Sequence, residues 1–237
     1  MKNADFIALC KNGTLPTLSE GNKKLIPTAT TKFLIWNIPA VSTCPYKTAM
    51  CECECYAKIA EMIYPNVRVS RERNYKISLA NDFTYKMLIV INHYMSKEKY
   101  KNANAVYFRI HESGDFYSRE YLNKWLEIIS ACKDLYKNLY FNVYTKSTPF
   151  LTHTAAYYKA MYPNLIINIS IWADSPTELV NKAHAEKWNI YTAVPKNEID
   201  TAVKMPGCVK CRCADCGTCT LCLTHKSNPL VKICEIH

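Results

Sequence analysis

The sequence contains no run of eighteen apolar residues; its longest apolar stretches, at 86–91 and 165–172, are short or interrupted by polar side chains. A membrane-spanning helix is therefore not expected. Residues 1–10 carry one Lys, one Asp and a short apolar run without a small-residue cleavage site. No secretory leader is legible there, so the chain is expected to stay inside a cell. Repeats, linkers and low-complexity runs are also missing. Arginine is scarce, 6 residues against 24 lysines. Lys, Asn, Ile and Tyr, all with AT-rich codons, make up about a third of the chain, so base composition accounts for much of the net charge of +10. That puts nucleic acid behind the plainer explanation. With 49% apolar and 21% charged residues among 237, the chain reads as globular and long enough for one sizeable core.

Cysteine is the residue in excess. Of thirteen, four fall within 44–55 and six within 208–222, leaving Cys10, Cys132 and Cys234 outside. In a reducing compartment so dense a pattern points to metal binding or catalysis rather than disulfides. Cys132 falls on the apolar face of a predicted helix and reads as a small buried hydrophobe.

Five segments rich in β-branched and aromatic residues read as strands: 32–38, 105–111, 139–145, 165–172 and 188–194, with 66–70 as a weaker sixth. Apolar residues at helical spacing predict helices over 75–94, 118–135, 152–162 and 175–188. Ser118 is the expected N-cap of the second, and Ser175, followed by Pro176, that of the last. Spacings of about 23 to 35 residues between strands in the second half fit repeated βα units and a parallel sheet. The expected fold is α/β: a partial TIM-like (βα) barrel, with an open doubly wound sheet as the alternative. Residues 1–204 would form the (βα) domain and 205–237 a cysteine-rich metal-binding extension packed on it.

Chemistry in such folds gathers at the C-terminal ends of the strands. Arg109, His111 and Asp115 fall there around Gly114, followed by Tyr144, Lys146, Ser170, Trp172 and Asp174. The first strand runs directly into Cys44. Arg109, His111, Asp115 and Lys146 are the candidate catalytic residues, weighed against a structural network around a tight turn.

Cys44, Cys51 and Cys55 follow a Cys-x6-Cys-x3-Cys pattern, with Cys53 spare. A helical turn would put Cys51 and Cys55 on one side and point Cys53 away; an extended segment would align 51, 53 and 55. Three such thiolates would hold three irons of a cubane and leave the fourth to a substrate, water or a distant side chain. The second window reads Cys208-x2-Cys211-x-Cys213-x2-Cys216-x2-Cys219-x2-Cys222. Successive Cys-x2-Cys steps are the ferredoxin spacing. Zinc is the rival, although its paired cysteines usually stand further apart in sequence.

Asn37-Ile38-Pro39-Ala40, Thr43-Cys44-Pro45, Cys51 and Cys55-Tyr56-Ala57 resemble the N-terminal signature of the tailed-phage "gene product 88" family. His111-x-Ser113-Gly114-Asp115-Phe116, Tyr144-Thr145-Lys146-Ser147, Ser170 and the terminal cysteine steps follow in that family's order. The resemblance spans roughly 30–225. It implies a viral protein in the cytoplasm of an infected bacterium, whose cysteines hold two 4Fe–4S clusters. Cys44, Cys51 and Cys55 match the N-terminal ligands, and Cys208, Cys216, Cys219 and Cys222 the C-terminal set. Cys211, a further metal-ligand candidate, is extra to the pattern, as are Cys53 and Cys213. The resemblance brings no settled activity.

Three functions compete. One is a redox or cluster-dependent enzyme acting on an unknown small molecule or redox partner. Its radical S-adenosylmethionine version would use Glu112-Ser113-Gly114-Asp115 as the polar turn, but the usual Cys-x3-Cys-x2-Cys is absent, which argues against it. The second is a zinc- or cluster-stabilised module binding nucleic acid or a host factor, using the basic segment 68–73 beside Tyr64 and Tyr75. The third is a ferredoxin-like electron carrier.

Overall fold

Alternating side chains along the five anticipated strands, one face apolar throughout, pair them into a single sheet. The computed structural model describes residues 2–202, 204, 207–211, 216, 219, 221–223 and 231–235. Strands β1 (Thr31–Trp36), β2 (Ala105–Ile110), β3 (Leu139–Thr145), β4 (Leu165–Ile171) and β5 (Asn189–Val194) lie side by side in chain order, joined by β6 (Cys208–Lys210) and β7 (Val231–Glu235). The order is β1-β2-β3-β4-β5-β7-β6, and every pair is parallel. Ten α-helices are seen among the described residues: α1 (Asn3–Lys11), α2 (Ala49–Cys53), α3 (Tyr56–Ile63), α4 (Pro65–Leu79), α5 (Phe83–Met95), α6 (Glu98–Lys101), α7 (Arg119–Leu135), α8 (Ala155–Met161), α9 (Thr177–Ala185) and α10 (Ile199–Ala202).

The sheet does not close; β1 and β6 are its two ends. An open parallel sheet is what the chain builds, and β1 to β5 run without the reversal of order that marks a doubly wound sheet. At the β1 edge, Ser19 and Ile35 exchange backbone hydrogen bonds of 3.0 and 2.8 Å in an antiparallel bridge.

The sheet's two faces differ in chemistry. One carries Leu34, Trp36, Val106, Phe108, Phe141, Val143, Ile167 and Ile169 against Val90 and Ile91 of α5 and Trp125, Ile128 and Ile129 of α7. Each such side chain contributes about 1.5–3 kcal/mol by leaving water. The second face holds Phe33, Ile35 and Tyr107 at its β1–β2 end, packed with Leu25 and Leu223. Further along, its alternate positions are Arg109, Asn142, Tyr144, Asn168 and Ser170.

Three local expectations are corrected. Segment 66–70 is helical, inside α4, which opens on Pro65 at a position where its fixed φ and missing N–H suit a helix start. The predicted helix over 75–94 is two helices. Ala80 is extended (φ −68°, ψ 148°), and the Lys124 ammonium donates to the Ser78 and Ala80 carbonyls at 3.1 and 2.9 Å, satisfying acceptors the broken helix leaves open. Ser118 caps α7 as expected, accepting from the Tyr121 N–H at 3.2 Å. Ser175 does not cap α9: its hydroxyl accepts from the Trp172 N–H at 2.8 Å, and Pro176 takes the cap position.

Candidate functional site

The loop after β1 and the turn after β2 are laced together. The Asn37 side-chain oxygen accepts the N–H groups of Glu112 and Ser113, both at 2.9 Å. Gly114 lies beneath this loop at φ +83°, where a Cβ would come within 2.3 Å of Ile38 Cγ1 and 2.7 Å of Thr43 Oγ1. Cys44 follows directly. Thr48 caps α2 by accepting the Cys51 N–H at 3.3 Å, and the Asp174 carboxylate accepts that of Met50 at 2.7 Å. Cys55 joins α2 to α3. From α3, Glu61 reaches back to the Ala40 N–H at 2.8 Å and ion-pairs with Arg71 at 2.9 Å.

This framework gathers Cys44, Cys51 and Cys55 closely enough for each other's charge to be felt at Cys44, while Cys53 is exposed. Cys51 and Cys53 lie in α2, but the helix ends there and Cys55 follows in extended backbone (φ −75°, ψ 95°), so the window is neither one helical turn nor one extended segment. Burial pushes the Cys44 thiol up to about 12, with Asp115 adding to the rise. Burial also raises Cys51, opposed by the Lys146 ammonium, which hydrogen-bonds its sulfur. Lys146 Nζ donates to Ser170 Oγ at 2.7 Å and lies 5.2 Å from the centre of the Trp172 ring. Its own affinity for the proton is lowered by burial, against the pull of Cys51 and Asp115. Asp115 accepts from the Phe116 N–H (2.7 Å), Thr145 Oγ1 (2.6 Å) and the Lys146 N–H (2.8 Å); burial still outweighs these bonds and raises its pKa. Asp115 therefore fixes the backbone from which Lys146 extends.

His111 goes elsewhere. Strand parity would place it beside Arg109, but at φ +63° its backbone turns the ring toward the helix-covered core. There Nε2 meets the Tyr121 hydroxyl at 2.9 Å and the ring packs against Phe116. Burial, aided by Arg109, lowers its pKa to about 3. An unfolded His titrates near 6.5, so below that pH the unfolded chain takes up a proton that the fold refuses. Stability is expected to fall through this group by about 1.4 kcal/mol per pH unit as pH drops from 6.5 toward 3. Urea unfolding of His111→Gln between pH 6.5 and 4.5 checks this: the variant should lose that part of the slope.

A second gathering covers the second face of the sheet. The side-chain amides of Asn142 and Asn168 donate to the Cys222 carbonyl at 2.8 and 3.2 Å. The Cys216 N–H donates to the Lys24 carbonyl at 2.9 Å. Cys211, Cys216, Cys219 and Cys222 line one recess of about 490 Å³, counted to its open mouth, together with Arg109, Tyr144 and Lys232. The Tyr144 hydroxyl donates to the Cys222 thiol, and the Arg109 guanidinium stacks 3.7 Å from the centre of the Tyr144 ring. Burial pushes Cys216 up to about 11, with Cys222 contributing. Cys208 sits on β6, outside that lining, and Cys213 lies outside the described residues. The sequence reading missed Asn142, Asn168 and Lys232. For Asn142 and Asn168 the signal was a polar residue inside a strand otherwise fit for burial; Lys232 lies in a strand that the sequence reading did not anticipate.

Among the described residues, no group of three or more His, Cys, Asp or Glu side chains is arranged to hold a metal ion. No described helix is long and apolar enough to cross a membrane. In the basic segment, Arg71 is buried against Glu61, and Arg73 donates to the Cys10 carbonyl at 3.4 Å; Arg68 pairs at the surface with Glu72 at 3.7 Å.

No curated protein and no solved structure matches the chain. The family described as Gene product 88 matches residues 16–225, a stretch that takes in both cysteine windows, the Gly114 turn and β1 to β5. The chain belongs to the Gene product 88 family.

Proposed function

We propose that the protein is a phage-encoded iron–sulfur protein of the infected cell's cytoplasm, in which Cys44, Cys51 and Cys55 hold a 4Fe–4S cluster over the C-terminal ends of β1 to β4. In this reading the second face of the sheet is the interior of a partial (βα) barrel. The observation that carries it is the meeting of three thiols with a buried lysine: the Lys146 ammonium on the Cys51 sulfur. The donor set fits such a group, because thiolates are its ligands and a nearby cation offsets their charge. Cys216, Cys219 and Cys222, with Cys211 or Cys208, would hold a second cluster in the recess.

When bound, such a group supplies one-electron chemistry, and three protein ligands leave one iron for a small molecule. The chain's own residues do the rest. Lys146, held by Ser170 and by the Asp115-anchored backbone, keeps positive charge at the Cys51 sulfur and favours its thiolate. Lys146 is a positioning residue for the ligand set. Asn37 and Glu61 hold the loop and helix that bring Cys44 and Cys55 together.

Anaerobic purification with iron, acid-labile sulfide and zinc analysis tests the reading. Iron and sulfide near eight each per chain are expected, since a 4Fe–4S cluster contributes about four of each. Cys51→Ser should lower both by about half. Zinc without sulfide would overturn the proposal.

A further inference from the structure

Helix α3 turns its apolar side away from the core. It buries one side chain, Ala57, and polar bonds hold its inner side: Arg71 donates to the Ala57 carbonyl and to Glu61, both at 2.9 Å. On the outer side Tyr56, Ile59 and Ile63 recur at i, i+3 and i+7 and form one stripe. Met62 lies beside it and Tyr64 closes the helix. All five are at least half exposed, Met62 to 76%. The Tyr56 hydroxyl donates to the Glu112 carbonyl at 2.8 Å, which anchors that ring. The face is therefore preformed, and a partner would find little left to order.

Area and charge select the partner. The five side chains expose on the order of 500 Å², near the top of the roughly 300–600 Å² that the largest apolar patch of a monomer reaches. A stable interface takes about 800 Å² from each partner, a little over half of it apolar, so this face supplies the apolar share. The chain carries a net charge of +10, which drives copies apart over most of their surface and draws anionic partners. Residues 52–72 depart from that excess, with four acidic side chains against three basic ones. Nucleic acid or an anionic bilayer gains nothing from such a rim. Another copy of the chain can approach it without the repulsion met elsewhere.

We infer that α3 is the contact face of a two-fold dimer of this chain. An axis near Ile59 lays the two α3 helices antiparallel, so that each copy offers the same stripe to the other. It also sets Glu54, which precedes α3 in one copy, toward Arg68, which follows α3 in the other. Tyr56 adjoins Cys55, so the pairing brings the partner to the rim of the first cysteine set, whatever those cysteines hold.

Sedimentation equilibrium of the full chain across micromolar concentrations tests the dimer, beside Ile59→Glu and Met62→Glu. Both side chains face solvent, so circular dichroism should show an unchanged fold. Wild type should sediment at twice the chain's mass, and each variant should raise the dissociation constant at least about thirtyfold, the effect of losing a buried interface anchor. Glu54→Lys should weaken the dimer and Glu54→Lys/Arg68→Glu should restore it, because both signs are exchanged across the axis. A double variant weaker than the single would overturn the antiparallel arrangement. A monomer at every concentration would overturn the proposal, as would a dimer that both stripe variants leave intact. Monomeric chain that co-sediments with phosphatidylglycerol vesicles, and ceases to in Met62→Glu, would assign the face to a lipid surface instead of a second copy.

Discussion

Gly114→Ala is expected to destabilise the fold by about 4 kcal/mol, read as a lower midpoint in urea at unchanged slope. Two costs add. A residue with a Cβ in the left-handed region loses roughly 1–2 kcal/mol, and overpacking a filled site costs about 1–3 kcal/mol. The new methyl would meet Ile38 Cγ1 at 2.3 Å and Thr43 Oγ1 at 2.7 Å. Neither can yield cheaply: Ile38 is fully buried, and Thr43 Oγ1 is tied to the Pro39 carbonyl at 2.6 Å. The clash falls on the segment leading into Cys44, so variant protein that still folds should also bind less iron at the first set. A loss below about 1 kcal/mol would show that this turn is looser than its contacts imply.

Glu61→Ala should cost about 3–5 kcal/mol, the range for stranding one member of a buried ion pair. Arg71 would stay in place with its charge uncompensated, its side chain only 8% exposed. The Ala40 N–H would lose its acceptor as well. The double variant Glu61→Leu/Arg71→Met tests the cause. Removing both charges leaves no stranded charge, although the Ala40 N–H and the Ala57 carbonyl still lose their partners, so it should recover part of the lost stability. Equal losses in the single and double variants would place the cost in packing or in the Ala40 contact. Iron content read alongside separates the pair's role in stability from its role in bringing α3 and Cys55 to the Cys44 loop.

Much of this was legible in the sequence. The five strand segments stand out because their buried faces are continuous β-branched and aromatic residues, and β1 to β5 match them to within two residues at each end. Ser118 announced α7. The break at Ala80 did not show, because the residues around it keep helical periodicity. The carbonyls freed at the end of α4 are taken up by a lysine on α7, a tertiary partner no local pattern contains. The weak strand at 66–70 reflected two valines and lost to Pro65 and the helix behind it. At the site, Cys44, Cys51, Asp115 and Lys146 lie near one another, because parallel strands bring every β-exit to one edge. His111 was displaced by a single positive φ. The placement of Cys216, Cys219 and Cys222 over the second face depends on long-range bonds from Asn142, Asn168 and Lys24, invisible to spacing.

The bridge between Ser19 and Ile35 has a bearing on how copies of this chain behave when crowded together. An outermost parallel strand offers its unpaired N–H and C=O groups as a template on which another chain can add, the first step toward fibrous assembly. With Ser19 taking both polar groups of Ile35, next to the C-terminal end of β1, the docking track is cut short for a foreign strand. The residues before β1 thus serve as a guard rail against self-polymerisation, separate from anything the cysteines do.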